Sequence, residues 1–350
     1  MIPEKMKALV IVGDKAVELR EVSTPEPAAG EILVKLEKCL LCTWEQRVYS
    51  NGGGMKMPFI PGHEVSGTVA VVPTDTITSF KVGDPVVVKT LDNCGHCEFC
   101  YTGNDNLCTG STKKRYYDGI PGTGGLAQYI ALDVTRVFAL PNRAVDLEEA
   151  AFAEPVACCL RSLEHAKIQI GEDVVIVGGG IMGQLHNILA KKQGARTILV
   201  EIDEKRAALA KEMGADEIIN PLAEDPFEKI KVLTNGRGAH VIFLTVTMTK
   251  LAEDYIAALS KMGRIIYYGS FHPVGEIAID PNHIHYSEKL ITGSYSPTIK
   301  AFYTASRLLS YRLINVAPFI SERYSMAEAK TAFERALSGE TYRVLIDLWK

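Results

Sequence analysis

Short, mainly apolar runs recur along the first 140 residues of the chain. They are separated by clusters of proline, glycine and aspartate, and they cover residues 8–12, 32–36, 67–72 and 85–88. Runs of this length between turn-forming residues are typical of β-strands. The pattern therefore predicts a β-rich first module.

Helical patterns alternate with apolar runs after residue 142. The apolar runs cover residues 174–177, 197–200, 240–244 and 264–268. Strands spaced by helices of about 10 to 15 residues indicate right-handed βαβ crossovers and a parallel sheet. Beyond residue 280 the pattern loosens, and it predicts an amphipathic helix at 327–337 and a final strand at 343–347. We expect this tail to pack against the first module.

Length, charge and cysteine content narrow the class of protein. A chain of 350 residues with 47% hydrophobic content is sufficient for two ordinary domains. A net charge of −4 without runs of like charge argues against a nucleic-acid partner. Neither a membrane span of about 18 apolar residues nor a signal peptide is apparent. We therefore expect a cytoplasmic protein whose eight cysteines are reduced and able to bind metal.

A glycine-rich loop follows the predicted strand at 174–177. The loop is G-x-G-x-x-G, with Gly178, Gly180 and Gly183, and Ile181 and Met182 lie at the start of a predicted helix. Such glycines allow the backbone to approach a pyrophosphate, which the N–H groups at the helix N-terminus bind. A glycine-rich connection that binds nothing is the alternative.

The choice of dinucleotide depends on Glu201 and Arg206, which both follow the next predicted strand. Glu201 is the eighteenth residue after Gly183, where an acid accepts hydrogen bonds from the adenosine ribose and repels a 2′-phosphate. NAD is therefore favoured over NADP. Arg206 is able to bind a 2′-phosphate, which leaves NADP open.

Four cysteines lie within fifteen residues, at Cys94, Cys97, Cys100 and Cys108. This spacing allows one loop to surround a tetrahedral zinc ion, and four thiolates close the coordination sphere, so the zinc is predicted to be structural. An iron–sulfur cluster and structural disulfides are the alternatives, but the ferredoxin spacing and the oxidising compartment are missing. His96 lies inside the loop, and we expect it to be a solvated turn residue.

A second candidate metal site comprises Cys42 and the Gly62-His63-Glu64 segment. Taken alone, a single cysteine is usually packed in a core and a single histidine is usually a hydrogen-bonded polar residue. Beside a dinucleotide site, however, zinc is able to polarise an alcohol oxygen while the nicotinamide accepts hydride.

These segments together resemble the zinc-containing medium-chain alcohol dehydrogenases over nearly the whole chain. The similarity extends to residues 80–84 and 124–127 and to Glu154-Pro155, which resembles the polyol (sorbitol) and threonine dehydrogenase branch. The resemblance implies that Cys42, His63 and Glu154 bind a catalytic zinc ion, with Glu64 coordinating directly or through water.

The resemblance also implies an α/β architecture. A GroES-like β-rich catalytic domain with the structural zinc lobe is expected at residues 1–150. A Rossmann domain with a doubly wound parallel sheet that binds NAD is expected at 151–285, followed by a return to the catalytic domain at 286–350. The catalytic cleft is implied to lie between the two domains, in a homodimer or homotetramer.

The sequence departs from the family where relatives carry a proton-relaying hydroxyl. Trp44 occupies that position, two residues after Cys42, and an indole N–H only donates. Thr43, ordered water or the Glu64 carboxylate remain as candidates to carry the proton. Alternatively, Trp44 packs against the substrate pocket and shapes it.

Three functions follow as hypotheses. The first is NAD-linked oxidation of a secondary hydroxyl on a small polar alcohol, a polyol or sugar alcohol. The second is oxidation of an amino alcohol such as L-threonine, and the third is a non-catalytic nucleotide-binding protein. Other residues able to bind metal are expected to be structural: Cys39, Cys158 and Cys159 as packed thiols, and His283 and His285 on a strand or loop.

Overall fold

A computed structural model describes residues 2–110 and 115–350, apart from the side chains of residues 51 and 52. The chain divides into two compact units. One unit comprises Met1–Ala157 and Thr298–Lys350, and the other comprises Cys158–Pro297. The second unit thus extends beyond residue 285, because a strand at Leu290–Ser294 pairs within its sheet.

The first stretch of chain is rich in strands, as the short apolar runs predicted. Its strands are β1 (Lys5–Gly13), β2 (Ala16–Ser23), β3 (Glu31–Leu41), β4 (Glu64–Val71), β5 (Pro85–Val88), β6 (Tyr116–Tyr117), β7 (Ile120–Pro121), β8 (Tyr129–Asp133) and β9 (Val137–Ala139). Its helices are α1 (Thr43–Asn51), α2 (Glu98–Tyr101), α3 (Leu147–Ala150) and α4 (Ala153–Ala166). The boundary between the two units falls within α4.

The second unit contains one parallel sheet. Its strands are β10 (Asp173–Val177), β11 (Arg196–Val200), β12 (Glu217–Ile219), β13 (Ala239–Leu244), β14 (Leu259–Tyr268) and β15 (Leu290–Ser294). Its helices are α5 (Ile181–Lys192), α6 (Glu204–Glu212), α7 (Pro226–Leu233), α8 (Thr249–Ala257) and α9 (Pro281–His285). The order β12-β11-β10-β13-β14-β15 is that of a doubly wound Rossmann sheet, which confirms the predicted fold class.

The short helix α9 corrects one expectation. His283 and His285 lie on this helix, not on a strand or loop. Asp280 accepts a hydrogen bond from the backbone N–H of Asn282, and Pro281 occupies the first helical position, a combination that favours helix initiation.

The chain then returns to the first unit. The return contains α10 (Ile299–Ser310), β16 (Ile320–Ser325), α11 (Ala329–Leu337) and β17 (Arg343–Asp347). Strand β17 pairs antiparallel with β3, and β16 pairs parallel with β17. The resulting order is β16-β17-β3-β4-β5-β9, with β8 also paired to β3. Side chains from β3, β4, β17 and α11 share one buried apolar cluster, which burial of apolar surface stabilises.

Short 3-10 helices connect several of these elements, at Gly52–Gly54, Asp105–Leu107, Val134–Arg136, Ala317–Phe319 and Met326–Glu328. None of the helices that the structure describes is long and apolar enough to cross a membrane.

Candidate active site

The antiparallel pairing of β3 with β4 brings the first candidate ligands together. Leu40, near the end of β3, pairs with Glu64 at the start of β4. Cys42 follows β3 directly and His63 precedes β4 directly, so both lie at the same edge of the sheet. The ligand atoms of Cys42, His63 and Glu64 all lie within 4.8 Å of one another.

Glu45 completes this cluster, although the sequence analysis missed it. Its carboxylate is fully buried and accepts hydrogen bonds from the backbone N–H groups of Cys42 (3.1 Å) and Gly62 (3.2 Å). A third contact joins Oε1 of Glu45 to Nδ1 of His63 at 2.5 Å. A carboxylate only accepts hydrogen bonds, so Nδ1 of His63 carries a proton, and Nε2 is the nitrogen that would bind a metal once it has no proton of its own. Histidine ligands in proteins commonly have a carboxylate partner of this kind.

The charge of Glu45 also sets the protonation of the imidazole. Burial by itself lowers the pKa of His63, but the carboxylate of Glu45, with a smaller contribution from Glu154, raises that pKa well above its usual value. Glu154 lies in the first turn of α4 and is not part of the 4.8 Å cluster among the described residues.

Glu64 is held by an arginine from the C-terminal return. Arg343, on β17, donates from Nε and from the second terminal nitrogen to the two carboxylate oxygens of Glu64, each at 2.7 Å. The two side chains are 3% and 0% exposed. Both oxygens of Glu64 are therefore already engaged by a buried, bidentate ion pair. No local pattern in the sequence indicated this partner, which is 279 residues away.

Thr43 and Trp44 flank the same cluster. Thr43 is exposed, and its hydroxyl lies 3.8 Å from Sγ of Cys42. The half-buried Trp44 ring contacts the ring of His63 edge-on at 5.6 Å and that of Phe59 at 5.9 Å. Trp44 thus packs between the imidazole and Phe59.

The four cysteines of the second candidate site converge as their spacing predicted. Their Sγ atoms lie within 4.8 Å of one another, and three pairs are separated by 3.5 to 3.8 Å. A zinc tetrahedron with Zn–S bonds of about 2.3 Å requires sulfur atoms about 3.8 Å apart, so the donor set fits zinc. Backbone N–H groups of Cys100 and Thr109 lower the pKa of Cys97 to about 5, which favours the thiolate. His96 is exposed, with Nδ1 2.8 Å from the carbonyl oxygen of Cys94.

The glycine-rich loop joins β10 to α5, as the sequence predicted. Gly180 precedes the first helical residue, Ile181, and has no side chain to cap the helix. A Cβ atom added at Gly180 would meet nothing within 4 Å, whereas one at Gly183 would collide with the carbonyl oxygen of Gly178. Open space in front of uncapped N–H groups fits a pyrophosphate, and the contact at Gly183 allows close packing of helix against strand.

Glu201 follows β11 and is 7% exposed. Its carboxylate accepts three backbone hydrogen bonds, from Gly179 at 2.5 Å, Ile202 at 2.7 Å and Asp203 at 2.8 Å. Arg206 lies in the first turn of α6, where its backbone N–H donates to the capping carboxylate of Asp203. Met182, in the first turn of α5, accepts a hydrogen bond from His186 through its carbonyl oxygen.

Comparisons with known proteins agree with this architecture. Residues 28–142 match the family described as alcohol dehydrogenase GroES-like domain, and residues 182–311 match the family described as zinc-binding dehydrogenase. Sorbitol dehydrogenase of Bacillus subtilis is 30% identical over 99% of this chain and 98% of that protein. L-threonine 3-dehydrogenase of Pyrococcus furiosus is 32% identical over 99% of both chains.

A solved structure has the same fold along its whole length. It is of a Sinorhizobium meliloti protein described as a zinc-binding dehydrogenase and bound to NADP, with a TM-score of 0.89, 27% identity and coverage of 99% of this chain and 100% of that one. From the site geometry and these relatives together, the chain belongs to the zinc-containing medium-chain alcohol dehydrogenases, a family of enzymes that use zinc and a nicotinamide cofactor.

Proposed function

We propose that this enzyme oxidises a secondary hydroxyl of a polyol or sugar alcohol and transfers the hydride to NAD. The observation that carries the proposal is the cluster of Cys42, His63 and Glu45. A thiol and an imidazole converge there, and a buried carboxylate orients the imidazole through Nδ1. That donor set suits a zinc ion with an open coordination position.

We assign the zinc ligands as Sγ of Cys42, Nε2 of His63 and the carboxylate of Glu154. Glu64, held by Arg343, lies beside them and is available to coordinate when that ion pair opens. When bound, zinc supplies a Lewis acid that lowers the pKa of the substrate hydroxyl. Glu45 positions His63, and we assign the exposed hydroxyl of Thr43 to relay the proton, accepting it from the substrate side while its own proton passes to solvent.

Two further cofactor assignments accompany this function. The thiolates of Cys94, Cys97, Cys100 and Cys108 hold a second, structural zinc. The backbone of the glycine-rich loop holds the pyrophosphate of NAD, and we assign Glu201 to the adenosine ribose. The acidic charge of Glu201 disfavours a 2′-phosphate, so turnover with NAD should exceed turnover with NADP.

The test is a count of metal ions together with turnover. Native mass spectrometry should find two zinc ions per chain in the wild type and one in Cys42→Ala. The wild type should reduce NAD with at least one polyol in a broad panel, and Cys42→Ala should lose all turnover. Retention of both metals by Cys42→Ala, or no turnover by the two-zinc wild type, would exclude this assignment.

L-threonine is the second candidate substrate, because the Pyrococcus furiosus relative carries that activity in its name. NADH production with L-threonine and none with polyols would decide for it. We also infer a cytoplasmic homodimer or homotetramer. The eight cysteines, all within the described residues, form no disulfide, and β15 forms an open edge of the described sheet that is available for pairing with a second copy.

A further inference from the structure

A cavity of about 650 Å³ lies in the first unit. Its walls come from residues 55–59, 90–92, 115–116, 119 and 121–123. Phe59 is part of the wall, and the Trp44 ring contacts both Phe59 and His63. The wall around Gly122 and Thr123 continues into the backbone of Gly125, whose N–H donates to the carbonyl of Gly62. Cys42, His63 and Glu64 are not among the wall residues, so the cavity is linked to the metal site only through Phe59, Trp44 and Gly62. It would take only the part of a substrate that lies at a distance from the reacting carbon.

The charges that line this cavity are mainly positive. Lys56 is exposed, and among the described residues its ammonium group has no carboxylate partner. Arg115 is also part of the wall, with its side chain 15% exposed. The acidic group of the lining, Asp92, is paired with Arg115 at 3.3 Å and with Arg136 at 3.8 Å. This pairing leaves the charge of Lys56 uncompensated, so the cavity favours an anion over a cation.

Within residues 2–110 and 115–350, two buried hydroxyls in the wall have no hydrogen-bond partner. They are the Oγ1 atoms of Thr90 and Thr123, and Thr90 is only 4% exposed. A buried hydroxyl without a partner destabilises a folded protein. Rotation of a threonine side chain between staggered positions exchanges its hydroxyl and methyl groups, so a polyhydroxylated ligand is able to supply the missing partners. Arg115 donates to the carbonyl oxygens of both threonines and thereby holds the two wall segments together.

We propose that the substrate is a polyol with an anionic group at the end distant from the reacting hydroxyl. Lys56 binds the anionic group, the guanidinium of Arg115 adds positive charge in the same wall, and Thr90 and Thr123 bind hydroxyls along the carbon chain. This inference rests on the proposed function and specifies its substrate class. A phosphate ester and a carboxylate share the chemistry that the two cations recognise, so the experiment includes both.

The kinetic test compares D-sorbitol, D-sorbitol 6-phosphate, D-gluconate and L-threonine as substrates of the zinc- and NAD-loaded enzyme. For the wild type, kcat/KM should be at least about tenfold higher for one of the anionic polyols than for D-sorbitol, the factor that one charge-assisted hydrogen bond supplies. Lys56→Gln should remove this preference by raising KM for the anionic polyol at least about tenfold. Lys330→Gln, at a lysine on α11 that is 74% exposed and outside the cavity wall, is the matched control and should behave as the wild type.

Thr90→Val tests the hydroxyl separately from folding. Because Oγ1 of Thr90 has no hydrogen-bond partner in the part of the chain that the structure describes, the valine variant should melt at the same temperature or higher. Its KM for the preferred substrate should rise about fivefold, which is within the range for one neutral hydrogen bond. An unchanged KM would show that the hydroxyl of Thr90 does not bind the substrate.

A binding measurement separates this inference from the proposed function. Broadening of the phosphorus NMR signal of inorganic phosphate reports its binding to the protein. The affinity for phosphate measured in this way should fall at least about tenfold in Lys56→Gln and should equal that of the wild type in Lys330→Gln. If no alcohol is oxidised but this difference is observed, the proposed function fails and the anion site stands. Equal turnover of D-sorbitol and both anionic polyols, a preference for L-threonine, or equal phosphate binding by both variants would overturn the inference.

Discussion

Replacing Glu45 by glutamine should weaken the zinc site without emptying the space that the side chain fills. The carboxylate accepts hydrogen bonds from the backbone N–H groups of Cys42 and Gly62 and from Nδ1 of His63. In Glu45→Gln the amide oxygen is able to keep the contacts with Gly62 and His63. The amide NH₂ then faces the N–H of Cys42, so one donor loses its acceptor and the imidazole loses its negative partner.

The expected size of the effect follows from these contacts. A hydrogen bond to a charged group contributes about 1.5–3 kcal/mol, and loss of such a partner behind a histidine ligand typically costs a factor of about 10–100 in metal affinity. The two ranges agree, because a factor of ten corresponds to about 1.4 kcal/mol. The dissociation constant of the proposed catalytic zinc should therefore rise by about 10- to 100-fold in Glu45→Gln.

Zinc retention across a series of chelator concentrations measures this change. Native mass spectrometry should show Glu45→Gln falling from two zinc ions to one at a chelator concentration about 10- to 100-fold lower than the wild type requires. The zinc of the four cysteines should persist in both proteins and serves as an internal reference. Glu18→Gln, at a residue whose side chain is 52% exposed on β2, should behave as the wild type. Equal retention of the second zinc by Glu45→Gln and the wild type would refute the role assigned to Glu45.

Two further predictions concern stability. Burial lowers the pKa of His186 to about 4, so between about pH 6.5 and pH 4 the unfolded chain binds a proton that the folded chain does not. The wild type should therefore lose about 3 kcal/mol of stability as pH falls through this window. Urea denaturation of His186→Asn should not show this loss, and a pH profile identical to that of the wild type would contradict the prediction. Asp105 pairs with the buried Lys89 at 3.3 Å and accepts a hydrogen bond from the backbone N–H of Ile299. Asp105→Asn should remove the carboxylate that pairs with this buried ammonium group and lower the free energy of unfolding by about 3 kcal/mol. A melting temperature equal to that of the wild type would show that the pair contributes nothing to stability.

Local patterns were sufficient for about half of the strands and for the helix that follows the glycine-rich loop. The strand at Asp173–Val177, the glycine-rich loop and the helix from Ile181 to Lys192 were predicted because each depends on neighbouring residues and on the conformational freedom of glycine. The four cysteines were predicted for the same reason, since one loop carries the whole donor set. His283 and His285 were misplaced because their alternation suggested a strand, while Asp280 and Pro281 start a helix.

The roles of Glu45 and Arg343 illustrate what local patterns leave out. Glu45 is the third residue after Cys42, and in the sequence it looks like a charged residue on the exposed face of a helix. Only the folded structure buries it against His63. Arg343 reaches Glu64 only because β17 joins the sheet beside β3. A contact between residues 279 positions apart has no periodic or spacing signal in a single sequence.

The amino-acid sequence by itself determined the α/β class, the dinucleotide loop and the four-thiolate zinc site, because each follows from residues that are close together along the chain. The tertiary structure decided how the thiol of Cys42 meets the imidazole of His63, which carboxylate orients that imidazole, and which charges line the adjoining cavity. Those features depend on strand pairing and burial, and burial determines how strongly a charge acts on its neighbours.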